Sequence, residues 1–86
     1  SSHNFIKSNS VIRGALLMSN VLIKFGIRVR KLRKISKLSI EELAFRADIN
    51  KNYLSDVERG KRNLSLKAIE KIARGLNVPI EALFIN

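Results

Sequence analysis

The chain has 86 residues, 45% of them hydrophobic, which suffices for one small domain and falls short of two. It lacks cysteine, so disulfides, thiol catalysis and cysteine-based zinc sites are excluded; its one histidine, His3, sits in a polar N-terminal stretch unsuited to catalysis or metal binding. With 17 Lys and Arg against 7 Asp and Glu, the formal charge of +10 asks for a polyanionic partner.

That charge is uneven. Residues 1–40 hold nine bases and no acid, whereas residues 41–86 hold eight bases and seven acids. Nucleic acid and an anionic membrane surface both suit such an asymmetry, and charge alone does not choose between them. No apolar run approaches the ~20 residues of a membrane-spanning helix.

Along the chain, Met18-Ser19-Asn20 reads like a natural start. Residues 1–17 are therefore expected to be an N-terminal extension, and residues 18–86 the domain. From Asn20 to near Ser36, Leu22, Phe25, Val29 and Leu32 recur at helical spacing among Arg28, Arg30, Lys31 and Lys34, which predicts an amphipathic first helix. Ser39 to Glu42 matches a capping box and opens a second helix carrying Ile40, Leu43, Ala44 and Ala47. The turn at Asp48-Ile49-Asn50 breaks it. Asn50 caps a third helix that runs to Arg59 with Leu54 and Val57 inward, and Gly60 stands where a left-handed residue stops a helix. Ser65 caps a fourth helix, with Leu66, Ile69, Ile72, Ala73 and Leu76 on one face and Asn77 as its left-handed stop. Pro79 suits the first turn of a fifth helix containing Ile80, Leu83 and Phe84. Nothing alternates with period two, so the fold class is all-α: five helices joined by short turns.

The second and third helices form a helix-turn-helix. Small residues at Ala44 and Ala47 let the two cross closely, and Ile49 in the turn plugs the gap. The outer face of the third helix then presents Lys51, Asn52, Tyr53, Ser55, Asp56 and Arg59, side chains able to meet base edges and phosphates in a major groove.

Residues 25–84, with Arg33 in the first helix, EELA at 41–44, ERGKRN at 58–63 and GLNVP at 75–79, resemble the lambda-repressor-like (XRE-type) DNA-binding domain. The segment ERGKRNLSL is also similar to the small controller proteins of restriction–modification systems. The resemblance implies that Lys51, Asn52 and Asp56 read bases, flanked by Tyr53 and Ser55. It implies that Lys61, Arg62 and Asn63 form a phosphate-gripping loop, with Lys37, Arg46 and Arg59 as further candidate phosphate contacts. It pairs Arg33 with Glu58 in a partly buried salt bridge between the first and third helices. An acid facing DNA needs a partner, so Asp56 is expected to pair with cytosine N4 or with a neighbouring base such as Lys51 or Lys61. Two positions depart from the family pattern. Ile40 replaces a phosphate-contacting glutamine, and Lys37 stands where glycine often turns the chain left-handed.

At the C-terminus, Val78, Ile80, Leu83, Phe84 and Ile85 offer more apolar surface than a closing helix needs. Ile80, Leu83, Phe84 and Ile85 are read as a two-fold dimer interface that would set two recognition helices about one DNA turn, roughly 34 Å, apart. The expected function is a homodimeric, sequence-specific transcriptional regulator in the bacterial cytoplasm, bound to a palindromic double-stranded operator, with no cofactor, metal, membrane or small-molecule ligand. An antitoxin-type module that neutralises a partner protein is the alternative. A membrane-surface peptide is disfavoured because the core needs the first helix's apolar stripe. No clustered nucleophile, base or metal-ligand set suggests an enzyme.

Overall fold

In the computed structural model, residues 10–85 are described, with side chains from residue 20 onward. Four α-helices follow one another: α1 (Ser10–Ile35), α2 (Ile40–Ala47), α3 (Lys51–Glu58) and α4 (Leu66–Leu76), closed by a 3-10 turn at Ile80–Phe84. No strand occurs among the described residues. α1 begins ten residues ahead of the expected Asn20 and runs through the boundary placed at residues 17 and 18. The run Ala15-Leu16-Leu17-Met18 contains strong helix formers and no proline, so nothing local stops the helix there. Residues 1–9, His3 included, lie outside the described residues. The fifth helix is a single 3-10 turn, and Pro79 precedes it in extended conformation (φ −69°, ψ 156°) instead of forming its first turn.

Local chemistry accounts for the helix starts. The Ser39 side chain accepts from the Glu42 N–H at 3.0 Å while the Glu42 carboxylate accepts from the Ser39 N–H at 3.1 Å, completing the capping box of α2. Asn50 Oδ1 accepts from the N–H groups of Asn52 (2.7 Å) and Tyr53 (3.3 Å), and Ser65 Oγ accepts from Ala68 (3.1 Å). The ends share one device. Lys37, Asp48, Gly60 and Asn77 all adopt positive φ. Behind each, the next N–H reaches back to a carbonyl in the last turn: Leu38 to Arg33, Ile49 to Ala44, Lys61 to Asp56 and Val78 to Ala73. Three of these closures hand the chain to an apolar residue, while α3 hands it to Lys61. Three of the four left-handed residues are not glycine, so a left-handed φ alone does not explain Gly60. A Cβ there would stand 2.9 Å from the Ile23 backbone, and that close approach of α1 excludes a side chain.

The core gathers one side of every element: Val29 from α1, Leu43 from α2, Leu54 and Val57 from α3, Ile72 from α4 and Leu83 from the closing turn are each 1% exposed or less. Leu83, expected at a dimer interface, therefore belongs to the protein's own core. Leu66 departs the other way; it was expected on the inward face of α4 and is 85% exposed. It occupies the first turn of α4, on a side of the helix that the core does not cover.

α1 holds α3 by a polar tie and a close contact. Arg33 donates from Nε to Glu58 Oε2 (2.7 Å), from Nη2 to Glu58 Oε1 (3.0 Å) and from Nη1 to the Leu38 carbonyl (2.9 Å). The two side chains are only 13% and 6% exposed. The Glu58 hydrogen bond raises the Arg33 pKa above its ordinary value. One face of α1 carries Gly26, where a Cβ would meet the Val57 carbonyl and stand 2.7 Å from the Glu58 carbonyl oxygen. The end of α3 thus rests directly on the α1 backbone.

Gly26→Ala gains about 1 kcal/mol of helix propensity yet is expected to destabilise the fold by about 1–3 kcal/mol, because rigid backbone must move; urea unfolding measures the sign. Glu58→Ala is expected to cost about 3–5 kcal/mol by stranding Arg33, and the double change Arg33→Met with Glu58→Leu should cost distinctly less. Equal losses in the two proteins would show that the ion pair itself stabilises the fold.

Candidate nucleic-acid interface

α3 is an eight-residue helix with two faces. Leu54 and Val57 point into the core, which leaves Lys51, Asn52, Ser55, Asp56 and Arg59 on the opposite side at helical spacing. Lys51, Asn52 and Arg59 are exposed, and Ser55 and Asp56 are half-buried along the flank. Tyr53 is also half-buried, its ring packed against the core cluster. All five expected base-contacting residues are therefore accessible in part or in full, with Lys51 and Asn52 foremost.

The loop after α3 lies beside that face. Its residues Lys61, Arg62 and Asn63 are exposed before Leu64 returns to the core. Arg62 folds back over α3: its Nε lies 3.4 Å from Asp56 Oδ2, and its guanidinium sits 5.3 Å from the centre of the Tyr53 ring. Asp56 is thus held by a neighbouring base, as expected, but the base is Arg62 and not Lys51 or Lys61. The Schellman closure explains this, since the reversal at Gly60 carries Arg62 back toward Asp56 while Lys61 points outward. Lys51 pairs instead with Glu41 of α2, Nζ to Oε1 at 3.0 Å, and this hydrogen bond holds the Glu41 carboxyl below the usual carboxylate range. Nothing in the sequence pattern signals the Glu41–Lys51 pair, because the helix-turn-helix crossing alone brings two first-turn residues of different helices together.

Lys37, in the α1–α2 turn, and Arg46, on the last turn of α2, are exposed, and neither forms an ion pair among the described residues. Arg59 and Lys61 share that state. Ile40 half-buries itself against the core cluster, which explains an apolar residue at the start of α2. A second exposed feature went unread in the sequence: Phe45, on the outer side of α2, is 87% exposed. Its phase was the available signal, since it falls between the buried positions Leu43, Ala44 and Ala47.

A separate apolar surface is formed by α4 and the closing turn. Ile80, Phe84 and Ile85 are exposed as expected, and Leu66 and Ile69 join Ile80 and Phe84 around one shallow groove. Phe84 also leans on Phe25, ring centres 5.4 Å apart, which fixes the closing turn to α1. Among the described residues no group of His, Asp or Glu is placed to hold a metal ion. No described helix is long and apolar enough to cross a membrane.

Comparison with known proteins agrees with this geometry. The control protein C.BamHI of Bacillus amyloliquefaciens is 46% identical over 63 residues, covering 72% of this chain and 78% of its own length. The crystal structure of the restriction-modification controller protein C.AhdI from Aeromonas hydrophila aligns with a TM-score of 0.72 at 46% identity, over 73% of this chain and 96% of that one. The restriction-modification controller protein C.Esp1396I, solved as a tetramer in complex with its natural 35 base-pair operator, aligns with a TM-score of 0.70 at 33% identity, over 74% and 84% of the two chains. The helix-turn-helix family profile matches residues 29–83, from Val29 near the C-terminal end of α1 through the core residue Leu83. A polar helix clamped by a salt bridge, beside a cationic loop and within that matched span, places the chain in the helix-turn-helix family.

Proposed function

We propose that this protein is a sequence-specific DNA-binding transcriptional regulator, not an enzyme, that acts in the cytoplasm as a homodimer on an inverted-repeat operator and controls restriction–modification genes. The observation that carries the reading is the outward face of α3, Lys51, Asn52, Ser55 and Asp56, held rigid from behind and flanked by Lys61, Arg62 and Asn63. An α-helix fits the major groove, where amide and ammonium groups distinguish base edges. Cations of the loop neutralise phosphates and fix the register without reading sequence. The names of its relatives support the assignment to restriction–modification control.

Two protomers are required for a palindromic site. The groove lined by Leu66, Ile69, Ile80 and Phe84 is the surface that would join them. None of its lining residues belongs to α3, so joining two copies there would leave both recognition helices free to enter successive major grooves about 34 Å apart.

Selection of bound duplexes from a random pool should return a two-fold symmetric site with half-sites about one helical turn apart. Recovery of no enriched duplex at low salt refutes the reading. On the selected duplex, Lys51→Ala and Asn52→Ala are expected to lose about 1–3 kcal/mol of discrimination against altered bases. Lys61→Ala should instead weaken binding to all sequences and reduce the salt slope by about one. For the dimer, Ile80→Asp is expected to give a folded monomer in sedimentation equilibrium, whereas Leu83→Ala should lose about 2–5 kcal/mol of stability by opening the core.

A further inference from the structure

Two cations on the α3 face are already engaged by carboxylates of the same chain. Lys51 and Glu41 meet at 3.0 Å with side chains 57% and 59% exposed, and Arg62 and Asp56 meet at 3.4 Å. Other acids have structural employment: Glu58 in the clamp, Glu42 in the capping box and Glu70 on Arg74. Glu41 suits the first turn of α2, where the helix dipole favours an acid, but the dipole does not explain its reach to Lys51. A carboxylate on a surface that approaches phosphates raises the energy of that approach, so its presence beside the foremost cation calls for a role.

We propose that Glu41 is an internal competitor for DNA phosphates at Lys51, one that penalises binding to non-specific duplex more than binding to the operator. The inference rests on the reading that the α3 face binds DNA. A phosphate offers Lys51 one solvated negative charge, as Glu41 does, so exchanging one for the other gains little. The exchange also leaves Glu41 beside the phosphate. A base edge behaves differently because it is neutral. The Lys51 ammonium has three N–H donors, so it donates to a guanine acceptor while another N–H stays on Glu41. Glu41 therefore aims Lys51 at bases and discourages its use as a general phosphate contact. The Glu41 carboxyl is ionised at neutral pH as any exposed glutamate is, and its hydrogen bond from Lys51 holds it further below the usual carboxylate range.

The test is Glu41→Gln, which retains an oxygen that accepts from Lys51 and removes the charge. Fluorescence anisotropy would measure affinity for the duplex selected from the random pool by the wild-type protein, and for a scrambled duplex of equal length, across a salt series. Binding to the scrambled duplex should tighten about three- to tenfold with a salt slope steeper by about one per protomer, while binding to the selected duplex changes less than about twofold. Glu81→Gln, which removes the same charge from the closing turn, should shift both affinities by less than about twofold. The proposal is overturned if Glu41→Gln tightens both duplexes alike, leaves both unchanged, or is matched by Glu81→Gln. Failure of the wild-type protein to select any duplex overturns the DNA-binding reading instead, so the two failures are told apart.

Discussion

The position of α3 depends on how α1 grips it. An eight-residue helix is shorter than those that persist alone in water, so its shape and direction come from its neighbours. Arg33 supplies the attraction: one planar guanidinium ties α1 to Glu58 at the end of α3 and to the Leu38 carbonyl in the α1–α2 turn. A lysine has no planar fork and would not reproduce those three directed bonds. Gly26 sets the limit of approach, since the carbonyls of Val57 and Glu58 stand where its Cβ would be. Attraction at one point and contact at another define both the distance and the tilt of the helix that carries the polar face.

The way α3 ends matters as much as the way it is held. After α1, α2 and α4 the chain turns left-handed and immediately buries an apolar residue, Leu38, Ile49 or Val78, wholly or in part. After α3 the same reversal delivers Lys61, and the chain stays on the surface through Asn63. One missing apolar residue thus converts a routine helix stop into a cationic loop lying against the outer face of α3. Arg62 closes that loop onto Tyr53 and Asp56, so the charge beside the helix is ordered before any partner arrives.

Charge on this face is balanced, not maximal. In a chain of net charge +10, acids at Glu41 and Asp56 are placed against cations of the very surface expected to meet a polyanion. Exposed pairs of this kind contribute little to stability. The effect proposed for the Glu41–Lys51 pair is on which partner the cation accepts, because a neutral base edge and a charged phosphate compete differently with a nearby carboxylate. On α4 and the closing turn, apolar side chains at Leu66, Ile80, Phe84 and Ile85 stay in contact with water in the isolated protomer, a condition that burial against a second copy would relieve.

Read without coordinates, the chain already declares the boundaries of α2, α3 and α4, since caps and stops are short-range chemistry, whereas the start of α1 at Ser10 was not legible. Ser39 with Glu42, Asn50, Ser65, Gly60 and Asn77 act within one turn of themselves, and each does in the structure what its type and spacing imply. The inward stripes of α1, α2 and α3 are legible for the same reason, as is the Arg33–Glu58 pair through its place in a recognisable motif. What folding alone decides are relations between residues distant in sequence. Glu41 meets Lys51 and Arg62 meets Asp56 only once the turns have set their angles. Gly26 looks like a weak point in a helix until α3 is laid across it, and Leu83 and Leu66 exchange their expected places because burial depends on which neighbour arrives above each residue. Local sequence governs where each helix starts, stops and turns its apolar side; three-dimensional packing governs which polar groups face one another, because that distance is a property of the whole bundle.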